Sequence, residues 1–184
     1  MAVERLLPFL PLAATLLWAA VEDMRTRRIR NWLTFSLLLT GVAQSFLPGR
    51  TVTPGESALG LLTGFALPLL LFVIGALGAG DVKLLTAIGA WLGAAAILRV
   101  FAVEAIIGML LVLTQAAVAG RLRTLLRNSA VVAINLWLVN DVGLEHVTAT
   151  GSSCRSVDRP LPFAVPVFAA TMIVTYVFVC GGRL

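Results

Sequence analysis

Six apolar stretches, joined by short connections except before the last, restrict this chain to one class of fold. They run over Leu6–Glu22, Trp32–Leu47, Ser57–Leu77, Val82–Leu98, Val100–Ala119 and Leu161–Cys180. With 59% of its residues hydrophobic and 12% charged, the chain lacks the polar surface a soluble domain would need to cover them. A membrane-crossing helix takes about 20 apolar residues. The expectation is therefore an all-α integral membrane protein, a bundle of about six transmembrane helices forming one domain over residues 1–184. Arg99 and Glu104 are the only charges between Leu84 and Ala119. That stretch is too long for one span at about 1.5 Å per residue, so a turn is expected between Gly93 and Arg99.

The cations set the orientation. With the Arg25–Arg30 loop in the cytoplasm, alternation leaves Arg5, Arg50, Arg99 and Arg183 outside and the other ten of 14 Lys and Arg inside. The net charge of +5 thus reflects topology, and a nucleic-acid partner is rejected. Both termini fall on the outer side of what reads as a bacterial inner membrane. Glu4 offsets Arg5 before the first stretch, and the strong positive cluster follows it. That stretch reads as an uncleaved helix, not a signal peptide. Cys154 and Cys180 fall on opposite faces, and His146 stands alone in a polar loop. No metal set and no cofactor are expected.

The long connection 121–160 is expected in the cytoplasm. It opens on the basic patch Arg121–Arg127 and continues into Ala130–Val139, which is too short to span. It forms either an interfacial helix or a re-entrant segment. Its tail, Thr148–Pro160, reads as loop. Gly60 with Gly64, and Gly89 with Gly93, carry the spacing that lets membrane helices approach closely.

Two acids stand out. Asp23 ends the first apolar stretch, and Asp81 lies in Gly78-Ala79-Gly80-Asp81-Val82-Lys83. Carboxylates at membrane depth are costly and commonly carry function. The topology puts both on the cytoplasmic face, although the cation count did not use them. Two neighbouring carboxyls share one proton: the ionised one takes a proton from water while the protonated one polarises a scissile carbonyl. Burial favours the neutral form, and Arg25 and Lys83, each two residues from an acid, oppose it. The bland reading is that Asp23, or Glu22 beside it, merely balances the arginines. Glu104 is expected near the outer face, paired with Arg99 or facing headgroups. Gly78 and Gly80 permit a helix break and close approach by another backbone.

These segments resemble the type IV prepilin peptidase family. Gly78–Leu85 is similar to its second-aspartate motif of Gly-x-Gly-Asp type, and Asp23–Thr34 to its first-aspartate segment. Leu161–Pro166 is similar to the entry of its last helix. Arg30 stands where that family usually has proline before Asn31, which is expected to loosen the following helix without touching the acid. The resemblance implies an aspartic endopeptidase that removes the leader of prepilins or pseudopilins at the cytoplasmic face, after a glycine. Asp23 and Asp81 are then the catalytic pair, with Gly78, Gly80, Lys83, Arg25 and Asn31 in support. The chain lacks the added cysteine-bearing domain of the methylating members. It is similar to the compact, peptidase-only form of tight-adherence (Flp-type) pilus systems, so N-methylation is not expected. The sequence does not fix the oligomeric state. Competing readings are a presenilin-like protease, a small proton-coupled transporter, and a non-catalytic assembly factor of the same fold.

Overall fold

The computed structural model describes residues 6–73, 77–137 and 162–181. These are helical, with no strand among the described residues. A 3-10 turn at Leu7–Phe9 leads into α1 (Leu10–Thr26). Then follow α2 (Asn31–Gln44), α3 (Pro54–Val73), α4 (Ala79–Leu92), α5 (Ala94–Val118), α6 (Leu122–Trp137) and α7 (Ala164–Gly181). Cys154, His146 and the 148–160 tail lie outside the described residues.

Local chemistry sets the boundaries. α1 runs past the expected end at Glu22. It stops where Arg27 takes a left-handed φ of 53°, its N–H donating to the Asp23 carbonyl at 2.9 Å. Asp23 therefore stands within the last helical turn and not beyond it. α3 begins at Pro54, ahead of the expected Ser57, because Thr53 and Glu56 form a reciprocal cap. The Thr53 N–H donates to Glu56 Oε2 at 2.8 Å, and the Glu56 N–H donates to Thr53 Oγ1 at 3.3 Å. Proline suits the first helical position because its missing N–H has no partner there anyway.

The expected turn between Gly93 and Arg99 falls at Gly93 itself. Its φ of 80° is in the region that favours glycine. α4 therefore ends at Leu92, six residues short of the expected Leu98, and Arg99 lies inside α5.

α4 is the centre of the molecule. It packs most extensively on α3, then on α2 and α5, while α7 closes against α5 and α1. Leu84, Leu85, Ala87, Ile88 and Ala90 are fully buried. The glycine pairs explain the close crossing. A Cβ on Gly60 would collide with the Gly89 carbonyl oxygen, and one on Gly89 with the Gly60 carbonyl oxygen. Gly64 lies against the Leu85 carbonyl in the same way, at 2.6 Å from its ideal Cβ. Side-chain donors complete the seams. Ser57 Oγ donates to the Ala90 carbonyl at 2.7 Å, and Trp91 Nε1 to the Leu37 carbonyl at 2.9 Å.

Three helical segments are long and apolar enough to cross a membrane: Leu7–Thr26, Pro54–Val73 and Ala94–Val118. Ala164–Val177 is apolar but shorter. α2 and α4 have 14 residues each, below the length of a span. The chain is a helical membrane protein, and the described residues supply three full-length spans where six were expected. α6 takes in both the basic patch and the start of the 130–139 run. It is one amphipathic helix with Arg123 and Arg127 exposed.

Candidate functional site

The two acids arrive on different helices. Asp23, in the last turn of α1, is 6% exposed. Its Oδ2 accepts the backbone N–H of Ala164 at 3.0 Å. That N–H opens α7 and has no partner within its own helix. Asp81 occupies the third position of α4, and its Oδ2 accepts the Gly78 N–H at 3.1 Å. A Cβ at position 78 would lie 2.9 Å from Asp81 Oδ2, so any side chain there would have to displace that carboxyl. Each carboxyl thus has Oδ2 held by a backbone donor, and no protein hydrogen bond among the described residues occupies either Oδ1.

The charge of Asp23 acts on Asp81. Asp81 precedes the buried run of α4 and lies outside the three spans. Burial pushes its carboxyl from the ordinary 3.8 up to about 6; the Gly78 N–H pulls it down and the Asp23 charge pushes it up. The opposing pull expected from Arg25 and Lys83 is replaced by that of a backbone N–H. Lys83 is exposed, and its Nζ donates to Asn31 Oδ1 at 3.0 Å. Arg25 is exposed on the last turn of α1.

Two contacts join the acid-bearing segments. Lys83 reaches Asn31 at the start of α2, and Ile29 packs over Gly80, 3.7 Å from where a Cβ would stand. The space at Gly80 is therefore taken up by this chain's own Ile29, at an ordinary packing distance.

Arg30 corrects the sequence reading. Its Nε pairs with Glu22 Oε1 at 2.6 Å, and Glu22 is buried. Its φ of −69° is the value proline would impose. The ion pair holds the entry to α2 where loosening was expected. It also divides the two neighbouring acids: Glu22 balances an arginine, while Asp23 turns to α7 and Asp81.

A second correction concerns Glu104. It is 5% exposed, and the charge that acts on it is Asp81. The expected pairing with Arg99 or with headgroups placed it at the wrong depth.

A cavity of about 530 Å³ lies at the opposite end of the bundle, between Arg50, Thr53, Glu56, Gly93 and Arg99. Neither Asp23 nor Asp81 lines it.

Residues 10–113, more than half of the chain, match the type IV leader peptidase family. The chain belongs to that family. No curated protein and no solved structure matches it. Membership implies a peptidase, and with the apolar helices a membrane one.

The matched region holds Asp23, Asp81 and Glu104, whereas Ala164 lies beyond it. The Ala164 donor was not legible in the sequence, because a backbone N–H leaves no residue signature and reaches Asp23 across 141 positions. Ala164→Pro tests it directly. Proline is tolerated at a first helical position; it removes the donor and sets its ring carbon where the N–H stood, against Asp23. A hydrogen bond to a charged group is worth about 1.5–3 kcal/mol, so leader cleavage should fall about 10- to 100-fold with the protein still folded. Unchanged turnover by Ala164→Pro would remove this contact from the site.

Proposed function

We propose that the chain is an aspartic endopeptidase that removes the leader of prepilins or pseudopilins, using Asp23 and Asp81 as a proton-sharing pair. The observations that carry this reading are that each Oδ2 is tethered by a backbone N–H and that the Asp23 charge acts on Asp81. Asp81 holds the shared proton and Asp23 is the base. Water gives a proton to Asp23 and attacks the scissile carbonyl carbon, while Asp81 donates a hydrogen bond to the carbonyl oxygen. The tetrahedral intermediate collapses as Asp81 passes its proton to the amide nitrogen and the C–N bond breaks; Asp23 then holds the proton taken from water, so the pair still carries one. The pair titrates as a unit.

The arginine-rich loops support a cytoplasmic position for this end of the bundle, in the inner membrane of a bacterial cell. The six-span topology, with α2 and α4 as short embedded members, goes with this reading. So does a peptidase-only activity of the Flp-pilus type, without N-methylation. The bilayer and the pilin helix are the partners. Apolar packing against the bundle holds the pilin helix, and no nucleic acid takes part.

The test is co-expression with prepilins from a neighbouring pilus locus, with leader removal read by mass spectrometry. Cleavage after the glycine supports the proposal. A folded chain that cuts none of several cognate prepilins would favour the assembly-factor or transporter readings.

The pH profile is a second expected result. An acid raised to about 6 is protonated below that pH and ionised above it. If Asp81 must donate, kcat/KM should fall as pH rises through about 6, approaching tenfold per unit, because kcat/KM reports the free enzyme. The limb in kcat should lie higher, since a bound pilin helix buries the carboxyl further. A flat profile from about pH 4 to about pH 9 would contradict the assignment.

A further inference from the structure

The cavity at the end of the bundle away from the acids plays no part in the peptidase chemistry. At about 530 Å³ it falls within the range of about 300–1,000 Å³ usual for small-molecule sites. Its wall carries two guanidinium side chains, Arg50 from the α2–α3 connection and Arg99 from the second turn of α5. One acid, Glu56, also lines it. That acid is committed to its own helix: Oε2 accepts both the Thr53 N–H and the Thr53 hydroxyl, each at 2.8 Å. Two arginines against one glutamate leave the wall at +1.

The backbone adds to that charge. The positive φ of Gly93 turns the chain so that α5 starts at the wall, with its first turn lining the cavity. The first hydrogen bond of α5 runs from the Ile97 N–H to the Gly93 carbonyl, at 3.1 Å. The N–H groups of Ala94, Ala95 and Ala96 precede it, and among the described residues no side chain caps them. A helix of 25 residues adds partial positive charge at this end. Glu56 is near enough to act as a cap, its Cβ 3.7 Å from where a Cβ on Gly93 would stand, yet its carboxylate is turned to Thr53.

Depth narrows the ligand. Two of the three full-length spans, Pro54–Val73 and Ala94–Val118, begin beside the cavity. The start of a span lies at the boundary of hydrocarbon and water, where phospholipid headgroups sit. Leu59, exposed in the second turn of α3, gives the cavity an apolar flank. Guanidinium forks match pairs of phosphate oxygens, and unpaired N–H groups at a helix start are donors to the same group.

We propose that this cavity is a phosphate site, where Arg50 and Arg99 bind the phosphate oxygens and the first N–H groups of α5 donate to them. The phosphate is that of a phospholipid headgroup or inorganic phosphate from solution. Bound there, it ties the α2–α3 connection to the start of α5 and steadies the turn at Gly93. Phosphate binding needs no peptidase activity, so it stands or falls apart from the proposed chemistry.

The experiment compares the full chain in detergent as wild type, as the double variant Arg50→Gln, Arg99→Gln, and as Ala95→Asp. Ala95 is exposed in the first turn of α5, where an acid complements the helix dipole. Ala95→Asp should therefore fold while its carboxylate repels phosphate, and it decides the matter if the double variant does not accumulate. One probe is phosphatidylglycerol, its retention counted by native mass spectrometry. The other is inorganic phosphate, titrated against Tm at constant ionic strength with chloride as the control. Wild type should bind one of these probes about tenfold or more tighter than either variant. Selective retention of phosphatidylglycerol identifies the headgroup as the source, and a Tm that rises with phosphate but not chloride identifies the free anion. Wild type that binds neither probe better than folded Ala95→Asp overturns the proposal.

Discussion

Asp81→Asn and Asp23→Asn, each expressed with a cognate prepilin, should leave the leader attached, with turnover down by about 10²- to 10⁴-fold. The two substitutions fail for different reasons. Asparagine at 23 can still accept the Ala164 N–H, so α7 stays docked, but it cannot take a proton from water. Asparagine at 81 can still accept the Gly78 N–H, and its amide even offers a donor. What it loses is the capacity to deliver a proton to the leaving nitrogen. Both variants should therefore fold and bind substrate, and the loss should appear in kcat. Glu22→Gln is the informative companion. Glu22 is adjacent to Asp23 but pairs with Arg30, so its loss should weaken the entry to α2 and leave the chemistry in place. Equal inactivation by Glu22→Gln and Asp23→Asn would mean that charge balance, and not catalysis, is what this end of α1 supplies.

How much of this was legible depended on the range of the interaction. The apolar stretches announced helices and a membrane, because hydrophobic burial is written in each segment's own composition. The pairs Gly60/Gly64 and Gly89/Gly93 announced close packing: Gly60 packs on Gly89 and Gly93, while Gly64 packs on Leu85. The acids announced themselves by their cost. What stayed hidden were contacts between distant parts of the chain. The Ala164 N–H has no side chain to read. Arg30 departs from a proline pattern, and only the fold reveals that it keeps the proline-like backbone by pairing with Glu22. Glu104 was misplaced through one local error. A turn allowed anywhere from Gly93 to Arg99 shifts everything after it by up to six positions, about 9 Å of helix. The positive φ at Gly93 settles the turn and brings Glu104 level with Asp81.

Gly89→Ala should be the most damaging small substitution in the bundle. One methyl group there would overlap the Gly60 carbonyl oxygen, and backbone cannot swing aside as a flexible side chain can. α3 and α4 would have to separate along a crossing that also seats Gly64 on Leu85 and Ser57 on the Ala90 carbonyl. Overpacking of a tight core costs about 1–3 kcal/mol when side chains can adjust, so the cost should be about 3 kcal/mol or more. Gly108→Ala is the control. It lies in α5 with nothing within 4 Å of the added methyl, and replacing a mid-helix glycine should gain up to about 1 kcal/mol. Thermal unfolding in detergent should separate the two variants widely and in opposite directions from wild type. The consequence reaches the chemistry because α4 carries Asp81 at its first turn. Any surviving Gly89→Ala protein should bind prepilin but cleave it slowly, as Asp81 moves away from Asp23. If Gly89→Ala melts with wild type, the α3–α4 crossing described here is wrong, and with it the placement of Asp81.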